Sequence, residues 1–324
     1  MKILDNNLKI TQAPDPEPKG GEVLVRVHAA GVNHADLLQR EGKYPPPPGA
    51  SKILGLEASG TIEKLGVGAS RFMQGDRVMC LLSGGGYAEK VTVPEAQCIP
   101  IPHNLSFEEA ASIPETFLTA YQSLFLIGEI QPDQWVLIHA GGSGVGTAAI
   151  QLARQMDAKT IATSRSKEKL EKCLSLGADV VINAESGSFA KKILEATDGH
   201  GADLILDFVG APYFAENMES LSIGGCIIFL ATMGGGKLEA FDLRGLMKKW
   251  ATLTGSSLRN RSPIYKGKLI EEFSKFALAH FESGMLKPII HATFPWEKAE
   301  EAHRLLAQNQ AFGKIVLSVY SVGA

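Results

Sequence analysis

The spacing of hydrophobic and polar residues changes character part of the way along the chain. In the first part, segments such as EVLVRVHAAG (residues 22–31) alternate apolar and polar residues with the two-residue period of a half-buried strand, and glycine and proline separate them. GTIEKLG, DRVMCLL and YAEKVTV continue this pattern. The first part is therefore predicted to be a compact, mostly antiparallel β-domain.

From residue 135 onward, short apolar segments alternate with helical patterns of roughly ten residues. Six segments have the apolar character of buried strands: WVLIH, TIAT, VVIN, DLILDFVG, GCIIFLA and WATLTG. Such alternation is typical of βαβ units, so it predicts an α/β fold with a doubly wound, parallel, six-stranded sheet. After residue 257, a long amphipathic helix precedes a strand, another helix and the final strand GKIVLSV, which we expect to complete the first domain.

The pattern predicts two domains, the second inserted into the first. A chain of 324 residues exceeds what one hydrophobic core usually covers. Ser106 and Glu109 have the spacing of a capping box and open a helical stretch that Pro114 interrupts, so we place the boundary near there. The expected division is residues 1–115 and 258–324 for the first domain and 116–257 for the parallel sheet.

Composition and charge narrow the classes of function. A net charge of −3 and a pI near 6.3 argue against a nucleic-acid-binding surface. No stretch has the apolar length of a signal peptide or of a membrane span, so we expect a cytoplasmic protein with no membrane partner. The four cysteines show no CxxC spacing, which predicts reduced thiols in a core.

A glycine-rich segment, HAGGSGVG at residues 139–146, joins the first predicted strand of the parallel sheet to a helix. Glycine lets the backbone approach a pyrophosphate closely, and the helix N-terminus then holds the phosphate charge. The segment predicts a dinucleotide site, and its candidate contacts are Gly141, Ser143, Gly144, Val145 and Gly146. The alternative is a tight turn that needs glycine only for packing.

The end of the second strand of the sheet, TSRSKEK, indicates which dinucleotide binds. An NAD site usually has a carboxylate there, whereas arginine accommodates a 2′-phosphate. The turn contains Ser164, Arg165 and Lys169 and no acid at the turn itself, so NADPH is the predicted cofactor. Alternatively, Arg165 and Lys169 are solvated residues at the start of a helix.

Four segments taken together resemble a known family: GVNHADLLQREGKYPPPPGASKILGLEASG, IPETFLTAYQSLF, WVLIHAGGSGVGTAAIQLAR and FGKIVLSV. They are similar to the quinone oxidoreductase branch of the medium-chain dehydrogenase/reductase superfamily, in particular to the zeta-crystallin-like NADPH:quinone reductases of the tumour-suppressor-induced type. The resemblance implies a GroES-like catalytic domain in two segments, a Rossmann domain between them, and a cleft where nicotinamide meets the substrate. It also implies a homodimer.

The resemblance further implies an enzyme without a metal. Zinc-containing members of the superfamily carry cysteine where Asn33 stands and histidine where Leu56 stands, and their structural-zinc lobe is reduced here to Cys80. We therefore expect no metal site. His28, His34 and His139 are interpreted as packing or surface residues.

The catalytic candidates are Asn33 and Tyr44. Asn33 matches the family's asparagine that faces nicotinamide and substrate, and its amide is expected to donate a hydrogen bond to the developing quinol oxygen. Tyr44 is expected to orient the substrate, or else to be a core aromatic residue. Leu38 stands where related reductases often carry a second tyrosine.

Further cofactor contacts are carried over from the family by position. The match assigns this role to Thr119, Phe229, Leu230, Met233, Leu258 and Lys314, the last through the cofactor phosphates. Ala184 stands where a tyrosine often lines the adenosine pocket.

The sequence thus predicts an enzyme that passes hydride from NADPH to small quinones. Two alternatives stay open at this point. One is an NADPH-dependent reductase of activated C=C bonds in enones, enals or enoyl thioesters. The other is a non-catalytic, crystallin-like or RNA-binding protein.

Overall fold

A computed structural model describes residues 1–319, which form two compact units. The first unit consists of residues 1–118 together with 258–319, and the second unit of residues 119–257. The chain thus leaves the first unit, builds the second, and returns.

The strands are β1 (Lys2–Leu4), β2 (Ile10–Gln12), β3 (Glu22–Val32), β4 (Glu57–Leu65), β5 (Arg77–Leu81), β6 (Lys90–Pro94), β7 (Cys98–Pro100), β8 (Trp135–Ile138), β9 (Lys159–Ser164), β10 (Val180–Asn183), β11 (Ala202–Asp207), β12 (Leu221–Phe229), β13 (Thr252–Gly255), β14 (Ile290–Pro295) and β15 (Lys314–Ser318). The helices are α1 (His34–Arg40), α2 (Phe107–Ala110), α3 (Pro114–Tyr121), α4 (Gly144–Arg154), α5 (Lys167–Leu176), α6 (Ala190–Ala196), α7 (Phe214–Ser220), α8 (Leu243–Lys249), α9 (Pro263–Glu282) and α10 (Ala299–Ala307). A π-helical segment, Gln122–Ile127, follows α3.

The first unit is built on a mostly antiparallel sheet whose strand order is β14-β15-β3-β4-β5-β7, with β6 also pairing with β3. Most residues of β3 and the first half of β4 are buried, and their valines, isoleucine and alanines pack in one apolar core with Tyr87 and Trp296. The returning segment supplies β15, which pairs with β3 through Ile315 opposite Val32. The antiparallel first domain predicted from the sequence is confirmed.

The second unit contains a parallel sheet in the order β10-β9-β8-β11-β12-β13. Apolar residues such as Leu137, Ile161 and Ile205 are fully buried, as parallel strands covered on both faces require. All six predicted strands are present, and the α/β fold with a doubly wound sheet is confirmed.

Local signals in the sequence place several helix ends. Ser106 and Glu109 form the predicted capping box at α2, and Pro114 starts α3 at the first helical position, where proline is tolerated. Helix α5 ends at Gly177, whose φ of +108° is in the left-handed region that glycine adopts without strain. Within residues 1–319, no helix is both long and apolar enough to cross a membrane; the cytoplasmic location stays a prediction.

Candidate functional site

The glycine loop follows β8 at the carboxyl edge of the parallel sheet, where the strand order reverses between β9 and β11. In doubly wound folds this switch point is where ligands bind. Ser143 caps the 11-residue helix α4, and its Oγ accepts a hydrogen bond of 3.0 Å from the N–H of Gly146. The first turn of a helix has N–H groups without intrahelical acceptors, and the positive end of the helix dipole lies there. The loop therefore fits a pyrophosphate.

Two glycines of this loop are required by the chain itself. A Cβ on Gly146 would lie 2.5 Å from the carbonyl oxygen of Ala140, and one on Gly141 would lie 2.8 Å from the Cβ of Ala162. Packing therefore accounts for these two glycines without any ligand. It does not account for the position of the loop at the switch point, which is the observation that favours a dinucleotide.

A buried network of hydrogen-bonded side chains begins at His139, the first residue of the glycine-rich segment. His139 lies between Asn217 Oδ1 (2.7 Å from Nε2) and Thr163 Oγ1 (2.8 Å from Nδ1), and the Asn217 amide donates to Asp207 at 2.9 Å. Burial lowers the pKa of His139, so the ring is neutral. Because the Asn217 oxygen can only accept, Nε2 carries the proton and Nδ1 accepts from Thr163. These hydrogen bonds link the carboxyl ends of β8, β9 and β11.

The residues predicted to select the cofactor lie at the end of β9, in the turn that follows, and in the first turn of α5. Ser164 ends the strand, Arg165 is exposed, and Ser166 is the N-cap of α5. Burial, with Arg165 and Lys172 nearby, lowers the pKa of the half-buried Lys169. Two cations at a helix N-terminus oppose the helix dipole, which makes the turn a favourable place for an anion. Binding of a 2′-phosphate there stays a prediction.

The remaining predicted contacts of the second unit lie in two places. Thr119 is in α3, where its carbonyl accepts from Ser123 Oγ at 2.7 Å. Phe229 ends β12, and Leu230 and the exposed Met233 follow it in the loop. Ala184, at the end of β10, is buried, and its carbonyl accepts a hydrogen bond of 3.1 Å from the Tyr213 hydroxyl. Their contacts with a cofactor stay predictions.

In the first unit, the partly buried Asn33 forms a cluster with two buried residues, Lys314, which was also predicted, and Glu57, which was not. Asn33, at the N-cap of α1, donates from Nδ2 to Glu57 Oε1 at 3.0 Å. Lys314 Nζ donates to Asn33 Oδ1 at 2.7 Å and to the carbonyl of Val32 at 2.8 Å, and it lies 2.6 Å from Glu57 Oε1. We name Asn33, Glu57 and Lys314 the amide–lysine cluster.

The cluster bears on two of the roles predicted from the sequence. Three acceptors surround the ammonium group of Lys314, so contact with a cofactor phosphate would require it to exchange one of them. The lysine fixes the orientation of the Asn33 amide, whose oxygen faces the ammonium. A hydrogen bond from Asn33 to the substrate and a phosphate contact of Lys314 both stay predictions. Glu57 was not assigned a role from the sequence.

A second network of hydrogen-bonded polar groups includes the backbone N–H of Asn33. Asp36 accepts from the backbone N–H of Asn33 at 2.8 Å and from the Tyr87 hydroxyl at 3.2 Å, and Tyr87 also lies 3.1 Å from His303 Nε2. Burial raises the pKa of Asp36 to about 6 and lowers that of His303 to about 3. This network links α1 to α10 and holds the start of α1, where Asn33 lies.

Tyr44 is held by an arginine that sequence reasoning missed. Arg259 is buried, and it donates to the Tyr44 carbonyl at 3.1 Å, to the Ser83 carbonyl at 3.0 Å and to Gln39 Oε1 at 2.5 Å. Its guanidinium lies 5.2 Å from the centre of the Tyr44 ring. Leu258, a predicted cofactor contact, is the buried neighbour of Arg259. The arginine fixes the proline loop, and Tyr44 as a substrate contact stays a prediction.

The two positions at which the family resemblance implies zinc ligands, 33 and 56, carry groups of different chemistry here. Leu56 is fully buried and apolar, and Asn33 is bonded within the amide–lysine cluster. In the described part of the chain, no three His, Cys, Asp or Glu side chains come together as a possible metal site. The expected absence of a metal stays a prediction.

Comparison with known proteins agrees with this architecture. Residues 19–103 match the model of the alcohol dehydrogenase GroES-like domain, and residues 144–275 match that of the zinc-binding dehydrogenases. The rat protein called quinone oxidoreductase is 32% identical over 307 residues, covering 93% of this chain and 90% of the relative.

Many solved structures match this chain along nearly its whole length, and three of them illustrate the range. A structure described as an NAD-dependent alcohol dehydrogenase has a TM-score of 0.86 at 33% identity, covering 99% of this chain and 100% of its own. A mycobacterial protein complexed with NADPH has a TM-score of 0.87 at 28% identity, with coverage of 98% and 100%. The CurK enoyl reductase has a TM-score of 0.84 at 29% identity, with coverage of 96% and 94%.

Proposed function

The chain belongs to the medium-chain dehydrogenase/reductase superfamily and to its quinone-oxidoreductase-like members, and from this premise we propose that it is a zinc-independent, NADPH-dependent reductase of small quinones. It is an oxidoreductase with an NAD(P)-binding fold. The amide–lysine cluster carries the proposal, because Asn33 takes the place of a zinc ligand there and is hydrogen-bonded to Lys314 and Glu57. A quinone is electron-poor and needs little polarisation by a metal.

When bound, a reduced nicotinamide supplies a hydride. The chain's own residues bind and orient: the glycine loop with the N-terminus of α4 would hold the pyrophosphate, and Arg165 with Lys169 and Ser164 would hold a 2′-phosphate. The neutral ring of His139 keeps the ends of β8, β9 and β11 in place. The mycobacterial neighbour complexed with NADPH supports this choice of cofactor, whereas the alcohol dehydrogenase neighbour is described as NAD-dependent.

Replacing Arg165 by alanine tests the choice of NADPH. We expect the KM for NADPH to rise by about 10- to 100-fold, because a hydrogen bond between two charged groups contributes about 1.5 to 3 kcal/mol. The KM for NADH should change by less than about twofold, since that cofactor has no 2′-phosphate. Lys167→Ala, which removes an exposed cation from the same turn, is the matched control. Equal effects on both cofactors would contradict the assignment.

Reduction of an activated C=C bond is the second candidate. The similarity to the CurK enoyl reductase favours it, because the same fold there belongs to a protein named for that reaction. The two candidates differ in where the proton goes, to a quinol oxygen in one and to a carbon in the other.

One experiment separates these functions. Stopped-flow absorbance would follow oxidation of NADPH and NADH by a panel of naphthoquinones, enones and enoyl thioesters. We expect fast turnover with naphthoquinones and a preference for NADPH. Turnover of enones alone would replace the first candidate by the second, and no turnover with either class would reject both.

We also propose a homodimer formed through the second unit. Strand β13 lies at one end of the sheet order, and edge strands have backbone groups open to pairing. On the neighbouring α8, Leu243 and Met247 lie one helical turn apart and are 61% and 71% exposed, and Trp250, the residue that caps the end of this helix, is 77% exposed. A second copy would cover this apolar stripe.

Trp250→Asp is expected to convert the dimer to a monomer at micromolar concentration. A charge in the centre of an apolar contact has to be desolvated, which costs several kcal/mol. Sedimentation velocity would measure the change. Val67→Asp, at an 88% exposed position of the first unit, is the control and should leave the oligomeric state as it is. A dimeric Trp250→Asp protein would contradict the proposed interface.

A further inference from the structure

Glu115 is a carboxyl group that the roles assigned so far leave unused. It lies in the first turn of α3, and its backbone N–H donates to Glu57 Oε2 at 2.8 Å. Its side-chain Oε2 is completely enclosed and has no hydrogen-bond partner in the described part of the chain. The residue as a whole is only partly buried, so another part of it reaches the surface. An enclosed oxygen without a partner is costly, so such a group in a native protein needs an explanation.

The charged groups facing Glu115 come from several elements of the first unit. Glu57 on β4 and Asp36 on α1 oppose its ionisation, while Lys314 on β15 and Lys266 on α9 favour it, and Arg259 also interacts with it. The hydrogen bonds of the cations go elsewhere: Lys266 Nζ donates to Ser83 Oγ at 2.7 Å and to the Arg259 carbonyl at 2.8 Å.

Burial of the Glu115 carboxyl and repulsion by the nearby carboxylates raise its pKa by more than the cations lower it. Burial first, and then the negative charge of Glu57, raise the pKa of Glu115 to about 8. At neutral pH Glu115 is therefore a carboxylic acid that holds a proton. The backbone N–H of Glu115 and the side-chain amide of Asn33 both donate to the Glu57 carboxylate of the amide–lysine cluster, one to each oxygen.

The proposed reaction requires a proton donor. Hydride transfer to a quinone or an alkene creates an anion that must be protonated. Leu38 stands where related reductases often carry a tyrosine and supplies no proton. We propose, on the basis of the proposed function, that Glu115 donates the proton that completes reduction of the substrate.

The proposed proton transfer conserves atoms and electrons. The hydride brings two electrons and one hydrogen nucleus to the substrate, which becomes an enolate or a quinol anion. The O–H bond of Glu115 breaks as a new O–H bond forms on a quinol, or a new C–H bond on the former alkene. The Glu115 carboxylate is then reprotonated from water. No further oxidant or reductant takes part.

The protonated state can be tested without cofactor. Because the pKa of Glu115 is raised in the folded protein, the folded state holds a proton between pH 4.5 and about 8 that the unfolded chain has released. Glu115 therefore lowers the free energy of unfolding as the pH rises through this range. We expect the urea midpoint to decline less steeply with pH in Glu115→Gln than in the native protein. Identical slopes would show that Glu115 is ionised at neutral pH and would overturn the proposal.

The catalytic role is tested by the same variant with NADPH and an acceptor. We expect kcat of Glu115→Gln to fall about 100-fold, as loss of a general acid typically does, with KM values within about threefold. In the native enzyme kcat should decrease above about pH 8, and in the variant this limb should disappear. Glu108→Gln, a partly buried glutamate in the first turn of α2, is the matched control.

The outcomes separate this proposal from the proposed function. If the native enzyme reduces quinones or enones and Glu115→Gln matches it in kcat and pH profile, the proton-donor role is wrong and the function stands. If the native enzyme reduces neither class, the function fails and the donor role fails with it, while the difference in urea slope still shows whether Glu115 holds a proton. A rise in KM alone would indicate a binding role and would also overturn the proposal.

Discussion

Lys314→Met is expected to lower the free energy of unfolding by about 3 to 5 kcal/mol, the usual cost of removing one partner of a buried ion pair. The Glu57 carboxylate is fully buried and would lose an ammonium group at 2.6 Å. Asn33 would lose its hydrogen bond from Lys314 as well. Urea unfolding followed by tryptophan fluorescence would measure the change.

Two further variants make this result specific. In Lys314→Met/Glu57→Gln no carboxylate is left unpaired, so we expect the double variant to regain a large part of the lost stability. Lys298→Met removes an exposed lysine and should change stability by less than about 0.5 kcal/mol. If Lys314→Met were as stable as Lys298→Met, the cluster would not be a structural element of the first unit.

Gly146→Ala should weaken NADPH binding by about 5- to 150-fold. The new Cβ would lie 2.5 Å from the Ala140 oxygen and 2.7 Å from the Gly141 oxygen, and both atoms belong to the backbone of the glycine loop. The loop must move, and overpacking of this kind costs about 1 to 3 kcal/mol. Movement of the loop would also displace the N–H groups predicted to hold the pyrophosphate.

Calorimetric titration of the folded variant with NADPH measures this effect. Gly20→Ala is the control, because its Cβ would meet only the Val67 oxygen at an ordinary 3.6 Å. Unchanged affinity in a folded Gly146→Ala protein would mean that the loop geometry does not hold the cofactor, and it would leave packing as the sole reason for the glycine.

Much of the fold follows from local sequence. The six parallel strands were predicted because short apolar segments alternate with helical patterns, and the start of α2 because Ser106 and Glu109 have the spacing of a capping box. The glycine loop was found for the same reason, since its residues are contiguous and lie between a strand and a helix. Such features depend on neighbours in the chain.

The buried polar cluster of the first unit does not follow from local sequence. Asn33 is 24 residues from Glu57 and 281 residues from Lys314, and Arg259 is 220 residues from Gln39. The spacing of residues within one segment cannot indicate contacts between residues so far apart in the sequence. A signal was nevertheless present, because Glu57 and Glu115 are acids within apolar surroundings, in LGLEASG and SIPETF. A charge that interrupts an apolar segment is a reason to look for a buried partner.

Because the first unit consists of two chain segments, its second segment is synthesised only after the whole of the second unit. Strand β15 lies between β14 and β3 and carries Lys314, so this ammonium group is made after the whole of the second unit. Until then Glu57 has no cation beside it and β3 lacks a neighbour on that side. The inserted second unit is complete earlier and can acquire its structure during translation. A nascent chain stalled before Lys314 would thus carry a complete parallel sheet and an incomplete first unit.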